Sequence, residues 1–282
     1  MQKTIPDYII DVMIPFLVYL FVSLFAQAGF TVYAMITQIN SLENTEVGYQ
    51  ESLSFMENME QIVTSNTLTV TFIAVAIACP IFLYMYKNQV GNLKYKGHTK
   101  DLHLVAILGI FASAGISKLV MLFPIDGILG NYAETTSKVM ESNIVLQIIT
   151  LIIIGPIMEE LLFRGLIYNR LKLFNDKTIA IYISAIIFGV YHFNLVQGVY
   201  TFILAIFLAY LYEKFETIWA PIIMHMAANA AAVVIEHLTI CKVINNHWYF
   251  KIPVMIIEIA VFTMVFYYKI YKKTNKEVDE NK

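Results

Sequence analysis

The sequence predicts an all-α fold, a polytopic membrane helix bundle of about eight transmembrane helices. Three observations carry that prediction. Of 282 residues, 59% are hydrophobic and only 14% are charged, against about 25% charged in soluble domains. The mean hydropathy is +0.66. The apolar residues also come in runs close to the ~20 residues that cross a bilayer. The net charge of -2, with no basic stripe interleaved with aromatics, excludes nucleic acid as a partner. Cys79 and Cys241 show no CxxC or Cys/His zinc spacing and read as unpaired, small apolar residues.

The first run covers 12–36. Its core, FLVYLFVSLFAQA, has the look of a cleaved leader, but Asp7 and Asp11 precede it where a secretory signal is positive. Apolar residues continue through Phe30, Val32 and Met35, so it reads as a first transmembrane helix, with a cleaved signal as the lesser alternative. The segment 41–66 is polar and acidic and reads as an amphipathic surface helix. Further spans follow at 68–86, 103–123, 144–171, 177–194, 197–213, 217–240 and 252–271. The fifth and sixth are the weakest, because Asn194 to Gly198 leaves a very short turn between them. Residues 1–282 read as one integral membrane domain, with a functional core over 144–240. No internal repeat supports an inverted-repeat transporter.

Loop charges orient the chain. Glu43, Glu46, Glu51, Glu57 and Glu60 fall in the first loop, and Lys87, Lys94, Lys96 and Lys100 in the next. A mixed loop with Asp126, Glu134, Lys138 and Glu141 follows, then Arg170, Lys172 and Lys177, and finally a tail with Lys269, Lys272, Lys273 and Lys276. Basic loops alternate with basic-poor ones, which puts both termini in the cytoplasm and requires an even number of spans. The abundant Lys, Asn and Ile suit an AT-rich bacterial gene and hence a bacterial cell membrane. Trp219 and Trp248 read as interfacial anchors, Lys118 as a snorkelling lysine, and His237 and His247 as surface residues.

Charges at the bilayer centre cost about 2.5–3.5 kcal/mol each on insertion scales, so they face a cavity and serve a function. The fourth span holds Glu159, Glu160 and Arg164, the fifth His192, and the seventh His225 and Asn229. Glu160 and Arg164 are spaced i,i+4 with the acid first, the order that lets them pair. Glu159 lies about 100° around the helix and has no local partner. Phe188 and His192 share one helical face, as do His225 and Asn229. At about 1.5 Å per residue, Glu159, His192, His225 and Asn229 lie about 12–22 Å from the cytoplasmic ends. They can therefore meet in one mid-membrane cavity, open to the cytoplasm.

These residues carry a resemblance. EELLFR (Glu159–Arg164) is similar to EExxxR, FGVYH (Phe188–His192) to FxxxH, and HMAAN (His225–Asn229) to HxxxN. Three motifs in this order resemble the CAAX-protease and bacteriocin-processing membrane peptidases, which include the type II CAAX prenyl endopeptidases and the Abi proteins. The resemblance covers 144–240 and implies an all-helical intramembrane endopeptidase. It implies that Glu159 and His192 activate the attacking water and that His225 and Asn229 stabilise the oxyanion. Glu160, Arg164 and Phe188 would shape the site or meet the substrate.

Amide hydrolysis needs a base, an oxyanion donor and an acid for the leaving amine. A carboxylate without a cationic partner is the better base, which favours Glu159 over Glu160, and base assistance is worth about 10²–10⁴ in rate. Glu159, His192 and His225 are also ordinary zinc ligands, so a metallopeptidase with divalent zinc is the alternative. The absence of HExxH favours the metal-free glutamate mechanism, with no cofactor. The expected partners are the lipid bilayer and a peptide or protein substrate, with or without a lipid modification. AT-rich coding points to peptide maturation, bacteriocin-related processing or self-immunity. Two rivals remain: a catalytically silent immunity or scaffold protein of the same fold, and a proton-coupled transporter.

Overall fold

The computed structural model describes residues 5–41, 49–90, 101–122 and 126–271. Glu43, Glu46, Lys94, Lys96, Lys100, Lys272, Lys273 and Lys276, used above to orient the chain, lie outside the described residues, as do the side chains of Asp7, Glu51, Asp126 and Lys269. Among the described residues there is helix and no strand. In order these are α1 Ile5–Ser41, α2 Tyr49–Ser65, α3 Thr67–Val90, α4 Leu102–Val120 and α5 Asp126–Met140. Then come α6 Ile144–Leu171, α7 Lys177–Tyr191, α8 Leu195–Phe215, α9 Trp219–His237 and α10 Thr239–Asn246. The last, α11, runs Trp248–Met264 and continues in π-helical form over Val265–Tyr271.

Among the described residues, seven helices (α1, α3, α4, α6, α8, α9 and α11) are long and apolar enough to cross a membrane. The fifth expected span is α7, whose 15 residues reach about 22 Å, less than the ~30 Å of a hydrocarbon core. It stops at His192, inside the bundle. The turn that follows is minimal because Phe193 takes φ 50, a left-handed conformation rare for a bulky residue. Asn194 then caps α8, its side-chain oxygen accepting from the Gln197 amide at 3.0 Å. Asp176 caps α7 and Asn143 caps α6 in the same way. The stretch 126–140, read from its charges as a loop, is the helix α5. It packs against α2, α3, α8 and α9 at the acidic end of the bundle.

Among the described residues, two large clusters and a small one (Ala26, Val70 and Ala74, between α1 and α3) make the core. One large cluster joins α3, α6 and α7 through Phe82, Tyr86, Phe163, Leu166 and Phe188. The other large one joins α4, α8 and α9 through Leu108, Leu208, Leu211 and Met224. The α4–α9 crossing is close because Gly109 has no side chain: a Cβ there would collide with the Met224 carbonyl. The outward faces of α1 and α11 carry exposed Phe21, Leu24, Phe25, Ile256 and Ile257. In a membrane chain that surface meets lipid. At the basic end, Arg170 pairs with Asp11 at 2.7 Å, and Lys172 and Lys177 both reach Glu213.

One expectation is overturned. Lys118 does not snorkel outward. It is buried between α4 and α11, with both Glu258 oxygens at 2.8 and 2.9 Å. A carboxylate on the facing helix offers it a closer partner than the interface.

Candidate active site

The catalytic-type residues lie on three helices, and α6 is the unusual one. It is π-helical over Ile148–Ile154, α-helical over Gly155–Glu160 and π-helical again over Leu161–Tyr168. The wider turns re-aim side chains, a feature frequent at functional sites. Gly155 is required at the first junction, since a Cβ there would lie 2.5 Å from the Thr150 carbonyl oxygen.

Glu160 and Arg164 pair as their spacing predicts, Nη1 donating to Oε1 at 2.9 Å with both side chains fully buried. Glu160 has a second partner that spacing did not reveal. The His225 Nδ1 lies 2.8 Å from the same Oε1. A carboxylate only accepts, so Nδ1 carries the hydrogen and donates it. That bond fixes the ring, and Nε2 turns toward Glu159, 3.5 Å from Oε2. His225 thus stands between the two adjacent glutamates. Arg164 completes its own set with the Ala205 carbonyl at 3.1 Å and the Phe188 ring face at 4.7 Å.

Phe188 is the shared wall. Its buried ring meets the imidazoles of His192 and His225 edge-on, at centroid distances of 5.0 and 5.8 Å. His192 donates from Nδ1 to the Phe188 carbonyl at 2.8 Å, which leaves Nε2 as a bare acceptor in the neutral ring. Among the described residues, no hydrogen bond joins His192 to Glu159. Asn229 donates from Nδ2 to the Leu151 carbonyl on α6 at 2.8 Å. Glu159, His192 and Asn229 are each partly exposed, whereas Glu160, Arg164 and His225 are buried. The motif residues therefore gather around Phe188 and α6, with buried members holding the accessible ones.

Three neighbours were not foreseen. The Tyr191 hydroxyl faces the Glu159 carboxylate, and the Tyr19 ring of α1 packs 5.1 Å from Tyr191. Thr201 of α8 lies 3.4 Å from His192 Nδ1. Tyr191 was detectable as a polar tip beside His192 inside an apolar run. Tyr19 and Thr201 carry no such signal, because only packing brings α1 and α8 to the site. A cavity of about 520 Å³ lies elsewhere, at the acidic end, lined by residues that include Tyr132, Thr136, Glu141, Glu236 and His237.

Among the described residues, no group of three His, Cys, Asp or Glu side chains is gathered so as to hold a metal ion. Glu159, His192 and His225 do not form that set.

A helical bundle with acids and imidazoles converging inside it fits an integral-membrane peptidase, and the relatives of the chain support that class. Residues 141–231 match the type II CAAX prenyl endopeptidase Rce1-like family. The chain is 30% identical over 169 residues to the "Putative membrane peptidase YdiL" of Bacillus subtilis (strain 168), an alignment covering 57% of this chain and 68% of that relative. No solved structure gives a significant match. The chain belongs to the type II CAAX prenyl endopeptidase Rce1-like family, and its substrate is accordingly a peptide or protein.

Proposed function

We propose that the protein hydrolyses its substrate without a metal, using Glu159 as the general base. Glu159 takes a proton from water, with the bare Nε2 of His192 as second acceptor, and the hydroxide adds to the scissile carbonyl. The oxyanion receives hydrogen bonds from His225 Nε2, in its imidazolium form, and from Asn229. Glu159 then returns its proton to the leaving amine. Glu160 and Arg164 are the buried holding pair, and Phe188 spaces the two imidazoles. Residues 144–240 form the catalytic core of one membrane domain covering 1–282. We assign the basic end of the bundle and both termini to the cytoplasmic side of a bacterial membrane, from the loop charges. The substrate then arrives from that side or laterally, with or without a lipid tail, and peptide maturation or immunity-related processing is the physiological setting.

The observation that carries this reading is His225 held between Glu160 at 2.8 Å and Glu159 at 3.5 Å. An immunity or scaffold protein has no need of an imidazole oriented at a second, accessible carboxylate. The test compares membranes of the native host expressing wild type or Glu159→Gln at matched levels, by mass spectrometry of peptides and trimmed termini. Products present only in the wild type, and surviving chelation, are the expected result. Identical peptide profiles with folded protein would move the assignment to the silent scaffold. Reversible loss on chelation, with stoichiometric zinc in the active protein, would overturn the metal-free mechanism.

A further inference from the structure

Asn229 reaches the site through a backbone group that an ordinary helix would not offer. Carbonyls inside a helix are consumed by its own amides. Yet Leu151, in the middle of α6, accepts from the Asn229 side chain of α9 at 2.8 Å. The local register explains why it is free to do so. Over Ile148–Ile154 the helix is π-helical, and at its end the Gly155 amide donates five residues back, to the Thr150 carbonyl. In the same register the next carbonyl, that of Leu151, awaits the amide of residue 156. Residue 156 is proline and has no N–H.

From this we infer that Pro156 is a positioning residue for the reaction: by withholding one backbone hydrogen it leaves the Leu151 carbonyl to hold Asn229. The inference rests on the assignment of Asn229 as an oxyanion donor. A carbonyl bonded along the helix axis points along that axis. One without an axial donor can tilt outward and meet the neighbouring helix. The acceptor also settles which end of the amide is involved, because a carbonyl oxygen takes only the NH₂ end. One Nδ2 hydrogen is then used, and the second, fixed in direction by the first, is left for the substrate. Asn229 is half-buried, so that second hydrogen has access. Gly155 and Pro156 thus act together, Gly155 admitting the π turn and Pro156 ending it one bond short.

The test is a double-mutant cycle with two readouts. Pro156→Ala restores the missing hydrogen, and Asn229→Ala removes the captured side chain. The first readout is thermal stability of the purified protein in one detergent, which needs no substrate. Asn229→Ala is expected to lower the midpoint clearly in the wild-type background and much less in the Pro156→Ala background, where the restored amide already satisfies Leu151. Equal shifts in both backgrounds would overturn the inference whatever the activity. The second readout is the rate of appearance of the product peptide that separates wild-type from Glu159→Gln membranes. Asn229→Ala is expected to lose about 10²–10³-fold, as for one oxyanion donor, and Pro156→Ala at least tenfold. The double variant should match Asn229→Ala alone, whereas losses that multiply would assign Pro156 a merely structural role and overturn the inference.

A third variant separates the missing hydrogen from the ring. Lactate placed at position 156 by nonsense suppression gives an ester with no N–H and no pyrrolidine. Retained product formation supports the inference, and a loss equal to that of Pro156→Ala refutes it. If the stability cycle couples but wild type yields no product, the Pro156–Leu151–Asn229 arrangement stands and the peptidase mechanism it rests on fails.

Discussion

Replacing Glu160 by Gln separates the two adjacent glutamates most sharply. Glu160 Oε1 accepts from Arg164 Nη1 at 2.9 Å and from His225 Nδ1 at 2.8 Å. Arg164 is fully buried, and its other contacts are one carbonyl and one ring face. Glutamine keeps the shape and, with its carbonyl oxygen at the Oε1 position, can still accept from both donors, but it loses the charge. The variant therefore leaves an uncompensated guanidinium in a low-dielectric interior, a change that costs about 3–5 kcal/mol when one partner of a buried pair is removed. At roughly 2–4 °C per kcal/mol for a chain somewhat smaller than this one, the melting temperature should fall by about 6–20 °C. Glu159 has no such buried cation against it: it meets the Tyr191 hydroxyl and, at 3.5 Å, His225 Nε2, and it is partly exposed. Glu159→Gln should change stability by less than about 1 kcal/mol while abolishing product. The assay is thermal unfolding of both purified variants in one detergent, beside product formation in membranes. A Glu160→Gln protein that melts with wild type, or a Glu159→Gln protein that falls as far, would refute this division of roles.

Two further outcomes follow from packing. Gly109→Ala drives a methyl into the Met224 carbonyl, one residue before His225. Overpacking of this kind costs about 1–3 kcal/mol, and the displaced α9 should lower product yield beyond what the lost folded fraction accounts for, measured per folded molecule. Lys118→Met leaves Glu258 without its lysine between α4 and α11. It should destabilise by about 3–5 kcal/mol, while Lys118→Met with Glu258→Met recovers most of that loss; thermal midpoints of the single and double variants check this.

Much of the architecture was legible because a bilayer imposes a simple rule. A backbone in hydrocarbon must satisfy itself, so each long apolar run becomes a helix. The run 144–171 matches α6 at both ends. The adjacent acids, the two imidazoles and the amide stood out because charge inside such a run is costly. The i,i+4 pairing of Glu160 with Arg164 is local geometry and could be read from spacing alone. Lys118 was misread because its partner lies 140 residues away, on a helix whose neighbour no local pattern identifies. The helix α5 was missed because its mixed charges lack an apolar stripe long enough to mark a span.

By itself, the sequence determined the membrane environment, the helical class, the family motifs and which residue types could do chemistry. Tertiary structure decided their division of labour: that Glu160 holds His225 as well as Arg164, that Phe188 parts the two imidazoles, and that Leu151 offers its carbonyl to Asn229. Helical periodicity dictates relations within about one turn, whereas an imidazole's partner across 65 residues depends on how helices pack against one another. Close approaches such as Gly109 against Met224 set that packing, and no spacing within a single helix encodes it.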